Sequence, residues 1–203
     1  LTMMRGLNVS RETYEKLQRY VDLLLVWTTK INLISKKSVS DVWNRHIIDS
    51  IQVFQSIDHP NRTWLDLGSG GGLPGLVVAI LATEASPEMK TVLVESDLRK
   101  AAFLRTIIRE LDLHATVISA RIENLDPLNA DIISARALAD LDTLLSFADL
   151  HLAYHGTAIF SKGGNWQKEV DKARESWRFD LDVIQSKTDP MAAILKIGGI
   201  SRV

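Results

Sequence analysis

The sequence predicts an α/β domain whose parallel sheet is covered on both faces, preceded by a helical extension. Three observations carry that expectation. Thr63 to Gly75, T-W-L-D-L-G-S-G-G-G-L-P-G, reads as a short buried strand, a sharp glycine turn and the first residues of a helix. Strand and helix patterns then alternate as far as residue 174, as parallel strands joined by crossover helices require. An acid, Glu95, closes the second strand at about the distance where a ribose hydroxyl pair is held in nucleotide-binding folds.

In chain order, Ser10 is the expected N-cap of a first helix over residues 10–27, with Glu12 and Glu15 in its first turns. Tyr14, Leu17, Tyr20, Val21, Leu24 and Leu25 recur there at helical spacing. An irregular crossing over residues 28–35 leads to a second helix, expected from residues 38–40 to about residue 57, with Val42, His46, Ile47, Ile51 and Phe54 on one face. Asp58-His59-Pro60-Asn61 breaks the chain. It separates the extension, residues 1–60, from the nucleotide-type domain, residues 61–203.

In the organising stretch, Gly68, Gly70, Gly71 and Gly72 let the backbone turn tightly and approach a ligand. Pro74 suits the first turn of the helix that follows, where its missing N–H costs nothing. The second strand covers residues 91–94, and Asp97 caps a long helix over residues 98–111. Residues 115–118 form the third strand, and residues 130–135 the fourth, arriving at Arg136. A helix over residues 141–154 precedes the fifth strand, residues 156–160. A charged helix covers residues 166–174, and residues 179–185 and 191–197 close the sheet as a strand pair.

Composition narrows the classes. Of 203 residues, 46% are hydrophobic and 24% charged, as in soluble globular proteins. No apolar run approaches the roughly 20 residues that cross a bilayer, and Leu1 to Ser10 lacks the apolar core of a signal peptide. Zero cysteines exclude disulfides, thiolate metal sites and cysteine nucleophiles, and fit a cytoplasmic location. Net charge is −1, so any nucleic-acid surface must be a local patch. The five histidines show no ligand spacing, so no metal is expected. No exposed heptad or long apolar edge is evident, which makes a monomer the expectation.

The ligand class turns on Asp66. Gly70-x-Gly72-x-x-Gly75 satisfies the dinucleotide pattern, but in that fingerprint the strand runs apolar into its first glycine. Here Asp66 stands two residues before Gly68, in the frame D-x-G-x-G-x-G, and can receive an ammonium group or anchor the turn's own N–H groups. The Tyr-Lys or His-Asp pattern of an NAD-dependent oxidoreductase is missing. This frame, with an acid after the second strand, resembles class I S-adenosylmethionine-dependent methyltransferases. The resemblance implies a Rossmann-like, seven-stranded, mostly parallel sheet with one antiparallel strand.

Further motifs sharpen it. R-H-I-I-D-S (45–50), D-L-G-S-G-G-G-L-P-G (66–75), E-S-D-L-R-K-A-A-F-L-R (95–105), R-I-E (121–123), S-A-R-A (134–137) and S-K-G (161–163) together look like the bacterial GidB/RsmG family. Members methylate N7 of one guanosine in 16S rRNA. The resemblance runs from about Tyr14 to Lys162. It implies S-adenosylmethionine as cofactor, S-adenosylhomocysteine as product, and 16S rRNA or the small ribosomal subunit as partner. Cofactor contacts are implied at Gly68, Leu73, Ile122, Glu123 and Arg136. Glu95 and Ser96 fall at the ribose end, and Asp66, Gly70 and Gly72 complete the turn.

Physical chemistry adds roles. Ile122 and Glu123 can sandwich an adenine and accept its exocyclic amine. Arg136 can pair with the cofactor's carboxylate or a substrate phosphate. Guanine N7 has a lone pair and no proton to lose, so in-line placement suffices and no general base is required. Arg136 and Lys162 are therefore candidates for positioning substrate, and no residue is assigned as a certain catalyst. Lys30, Lys36, Lys37 and Arg45 make a candidate RNA edge. Arg121 either meets RNA or pairs with Glu123 or Asp126, and Lys162 either lines the substrate side or pairs with an acid. Arg99, Lys100, Arg105 and Arg109 either grip phosphates or form a solvated stripe. His46 and Asp49 either touch the substrate or tie the extension to the core.

Overall fold

The buried strand that carries the glycine turn also sets the middle of the sheet. In the computed structural model, which describes residues 2–4, 7–57 and 63–203, it is Thr63–Leu67, with every residue after Thr63 buried. The breaker at residues 58–61, and with it the expected boundary at residue 60, lies outside the described residues.

A hairpin of β1 (Thr2–Met4) and β2 (Leu7–Val9) precedes α1 (Arg11–Thr28). After α2 (Asp49–Gln55) come β3 (Thr63–Leu67), α3 (Gly75–Ala85), β4 (Lys90–Val94), α4 (Leu98–Glu110), β5 (Ala115–Ile118) and β6 (Ala130–Arg136). Then follow α5 (Leu141–His151), β7 (Leu152–Lys162), α6 (Trp166–Ala173), β8 (Trp177–Gln185) and β9 (Ala193–Arg202). One 7-stranded sheet runs β5-β4-β3-β6-β7-β9-β8, and only β9 is antiparallel to its neighbours. The expected sheet is there.

Alternation along β3 divides its side chains between the faces. Leu65 and Leu67 join the apolar cluster of α5 and α6, whereas Trp64 packs with Val53 and Val78 on the other side. α3 is apolar all round because it is covered all round. Residues from Gly75 to Ala82 are buried, and α1 lays Leu17, Tyr20, Val21 and Leu24 into the same cluster as Leu76, Val77 and Ile80. The start of α1 is pinned to the end of α3 through Glu84, which accepts from Ser10 N–H (3.0 Å) and the Thr13 hydroxyl (2.6 Å). Those bonds hold the Glu84 carboxyl below its usual range. No helix among the described residues is long and apolar enough to cross a membrane.

Three stretches of the chain differ from expectation. The second helix is not continuous: Lys36–Asp41 is a 3-10 stretch, Trp43–Ile48 a π stretch, and only Asp49–Gln55 is α-helical. One turn of widened helix keeps its apolar residues on one side, so periodicity cannot reveal it. Ser50 marks the place, its hydroxyl donating to the His46 carbonyl at 2.7 Å. The helix over residues 141–154 stops at His151, and β7 begins at once with an irregular register, Ala130↔Leu152 and then Ile132↔Thr157. Gly156 permits the looped-out backbone, because a Cβ there would lie 2.6 Å from Leu152 Cγ. The closing strands are longer than expected and start later for β9, at Ala193.

Leu24 is fully buried between α1 and the glycine turn. Leu24→Ala is expected to lower stability by about 2–5 kcal/mol in urea unfolding monitored by tryptophan fluorescence.

Candidate functional site

The cleft lies beyond the carboxyl ends of β3, β4 and β6, where the sheet's crossovers diverge. Gly68, Gly70 and Gly72 all have positive φ (61°, 54° and 87°). The positive φ is what calls for glycine at Gly68, where a Cβ would also lie 2.5 Å from Leu138 Cδ1 and displace that side chain. Extension residues hold the turn from behind. The buried Tyr20 hydroxyl donates to Gly71 O at 2.7 Å, and burial pushes its pKa well up.

Beneath the turn sits Asp66, buried rather than facing the cleft. Its Oδ1 accepts from the Ser134 hydroxyl (2.7 Å), which itself accepts from Trp64 Nε1–H (2.8 Å). Oδ2 is buried without a hydrogen bond of ordinary geometry, although the Gly75 N–H acts on the carboxylate. Burial pushes the carboxyl up to about 6, against the pull of Ser134. Glu95 takes the opposite place, at the cleft. One carboxylate oxygen accepts from Gly70 N–H and the other from Asp97 N–H, both at 2.8 Å. Each oxygen keeps a lone pair for a further donor.

Three chambers meet here, and Ala137, left-handed at φ 50°, lines all of them. The first, ≈ 370 Å³, brings together Gly68, Gly70, Glu95, Ser96, Ile122 and Glu123 with Leu138, Thr143 and Phe147. The second, ≈ 340 Å³, is lined by Leu73, His46, Arg136 and the glycine turn. The outer one, ≈ 520 Å³, lies between Arg45, Asp49, Arg136, Lys162 and the turn joining β8 to β9. Lys100 lines the first two, although helical spacing put it on the outer stripe. Lys30, Lys36 and Lys37 are exposed and line none of these chambers.

Two cations at the cleft, Arg136 and Lys162, are engaged by the protein itself. Arg136 Nη2 donates to Arg45 O at 2.9 Å and to His46 Nδ1 at 2.6 Å, and Nη1 lies 3.4 Å from Asp49 Oδ2. Because a guanidinium only donates, His46 must be neutral with its proton on Nε2, which donates to Ser38 Oγ at 2.8 Å. Burial, then Arg136 and Arg45, lower the His46 pKa to about 4. Burial also draws the Arg136 pKa down. So His46 and Asp49 tie the extension to the end of β6. Lys162 donates to Ala139 O (2.9 Å) and pairs with Glu169 (2.6 Å), the alternative in which it meets an acid. Arg121 stands 3.9 Å from Glu123, both exposed, a contact of little energetic weight.

Sequence reasoning missed Ser134, Gln52 and His151. Ser134 could have been found, since it stands opposite Asp66 once β3 and β6 are paired. Buried His151 reaches Ile122 O at 3.1 Å across 29 positions, and nothing local signals it. Among the described residues no group of three or more His, Cys, Asp or Glu is placed to hold a metal ion.

Strand order, glycine turn and the acid ending β4 define a class I methyltransferase fold. Solved structures share it at low identity. A SAM-dependent methyltransferase from Aquifex aeolicus superposes with a TM-score of 0.59 at 12% identity, over 77% of this chain and 91% of that one. The M. jannaschii TYW2 structure in complex with AdoMet gives 0.56 at 14%, over 87% and 80%. Sequence similarity goes further. The profile of GidB, described as rRNA small subunit methyltransferase G, matches residues 13–191, and the chain belongs to that family. The ribosomal RNA small subunit methyltransferase G of Ruegeria sp. (strain TM1040) is 58% identical over 97% of this chain and 96% of its own. The protein of that name from Paramagnetospirillum magneticum is 44% identical over 96% and 92%. The chain is thus a methyltransferase of small-subunit ribosomal RNA.

Two buried groups give opposite pH dependences. The folded pKa of His46, about 4, lies below its ordinary 6.5, so the unfolded chain takes up the proton first and stability falls as pH drops from 6.5 towards 4. Asp66, raised from 3.8 to about 6, protonates first in the folded chain, so acidification through pH 6 relieves a cost. His46→Gln is expected to remove the first effect alone. Its stability relative to the parent should improve by at most about 3 kcal/mol between pH 7 and pH 4 in denaturant titrations.

Proposed function

We propose that the protein transfers a methyl group from S-adenosylmethionine to N7 of a single guanosine in 16S rRNA, acting as a monomer in the cytoplasm. The observation that carries the cofactor assignment is Glu95, a carboxylate fixed by two backbone N–H groups at the end of β4 with free acceptor capacity facing the first chamber. A ribose diol fits such an acceptor. Ile122 and Glu123 stand across the same chamber for an adenine, and the glycine turn leaves room for close backbone approach. The second chamber, reaching Leu73 and Arg136, then takes the amino-acid end of the cofactor.

The cofactor supplies an electrophilic methyl on a sulfonium. The chain's own residues bind, orient and exclude water. N7 attacks without losing a proton, so the protein need only hold the guanine in line and tolerate the positive charge it acquires. Asp49, Glu169 and Asp189 line the outer chamber, on the side from which the acceptor enters, and supply carboxylates near that charge. Arg136 joins the two chambers and is the positioning residue we assign first. Exposed Lys36, Lys37 and Arg45, with Lys30 further along the extension, are assigned to RNA phosphates. A major groove of A-form RNA is too narrow for this approach, so the target lies in a loop or is extruded.

The test is transfer of labelled methyl to small-subunit particles and free 16S rRNA lacking the modification, mapped by N7-specific chain cleavage. Label at one guanine N7, abolished by Arg136→Ala, is the expected result. Label elsewhere, or on small acceptors only, would replace this substrate with another. Glu95→Ala should raise the cofactor Kd roughly 10- to 100-fold in calorimetry, the loss of charged hydrogen bonds to a diol.

A further inference from the structure

Gln52 is buried in α2 and uses both ends of its amide on one turn. Nε2 donates to Gln185 O at 2.7 Å and Oε1 accepts from Lys187 N–H at 2.9 Å, on either side of Ser186. One helical turn earlier, Asp49 Oδ1 accepts from the Thr188 hydroxyl at 3.2 Å. These three bonds span more than 130 positions and join the extension to the connection between β8 and β9. That connection is a wall of the outer chamber, to which it contributes Ser186, Thr188, Asp189 and Pro190. Nothing else in the mechanism uses Gln52.

The opposite wall shows what the chamber takes. Of its three lining cations, Arg136 lies beside Asp49 and Lys162 beside Glu169, so these two are already matched by carboxylates, and exposed Arg45 is the one left for RNA phosphate. Drawing either cation to a phosphate would take it from an acid only 14% (Asp49) or 28% (Glu169) exposed, leaving that acid with a single donor, the Thr188 hydroxyl or Leu141 N–H. Neighbouring donors and acceptors instead match the mixed edge of a nucleobase, where O6 accepts and N1–H donates in guanine. Lys36 and Lys37, exposed and without an ion-pair partner among the described residues, are free for phosphates outside the chamber.

We propose that Gln52 is a positioning residue for the RNA substrate: it latches the β8–β9 turn to α2 and so sets the width of a chamber that seats an extruded base rather than a phosphate. The inference rests on the methyl transfer proposed above. Misplacing a base in a chamber slows the chemical step, whereas losing a phosphate contact weakens binding and flattens its salt dependence.

Unmethylated small-subunit particles and labelled S-adenosylmethionine separate these cases. Gln52→Leu should lower kcat about 10- to 100-fold, with the particle KM within about threefold and its salt dependence unchanged. Gln52→Glu, which keeps the acceptor for Lys187 N–H but sets its other oxygen against Gln185 O, should lower kcat at least as far and also serves if the leucine variant does not fold. Cofactor Kd should stay within about twofold of the parent in both. A raised KM with a flatter salt dependence would mean a phosphate seat and overturn the inference. Unchanged kinetics, or cofactor binding lost in parallel, would overturn it by making Gln52 incidental or a residue of the general fold. A parent protein that binds cofactor yet leaves particles unmethylated would remove the proposed function itself, and this inference with it.

Discussion

A carboxylate buried under a backbone turn is tolerated only when its surroundings are built for it. Asp66 meets that condition through a chain of groups, Trp64 indole to Ser134 hydroxyl to Oδ1, running across two adjacent strands. Its second oxygen packs so close to the start of α3 that a Cβ on Gly75 would come within 2.6 Å of it. The carboxylate therefore fixes three things at once: the register of β3 against β6, the entry of α3 and the floor of the glycine turn. The cleft inherits its shape from those constraints. Glu95, one strand over, can face a ligand because Asp66 does the anchoring below.

The extension is part of the site rather than an appendage to it. Tyr20 holds the glycine turn, Leu24 and the Leu33 carbonyl close over Gly71, and His46 with Asp49 receives Arg136. A neutral histidine facing a buried guanidinium is stable only while it stays unprotonated, which joins the seam's integrity to pH. Lys162 makes the matching arrangement on the other side, since Glu169 also accepts from Leu141 N–H and so fixes the start of α5. Arg136 and Lys162 are thus held in place before any substrate arrives.

Much of this was legible in the sequence because the relevant signals are local. The run T-W-L-D-L and the glycines behind it mark β3 and the turn, Asp97 caps α4 as its position suggests, and β5 has the bounds its β-branched residues indicate. Gly68, Gly70 and Glu95 were marked by the glycine frame and the acid after the second strand, Ser96, Ile122 and Glu123 by the family resemblance, and all six line one chamber. What was illegible is long-range. The engagement of Arg136 with His46 spans 90 positions and leaves no periodic trace. The widened helical turn at Trp43–Ile48 keeps the same hydrophobic face as an α-helix, and the loop before Thr157 depends on the fit of Gly156 under Leu152.

The place of β9 has a consequence for synthesis on the ribosome. Every residue named in the first chamber precedes position 148, yet the apolar cluster beneath it, with Leu65, Leu67 and Ile122, is closed by Phe160, Leu195 and Ile197. The outer chamber depends on the same late elements, because its wall comes from the β8–β9 connection and β9 lies between β7 and β8. Domains generally fold as units. A nascent chain therefore completes neither half of its cleft until β9 has emerged and taken its place in the sheet.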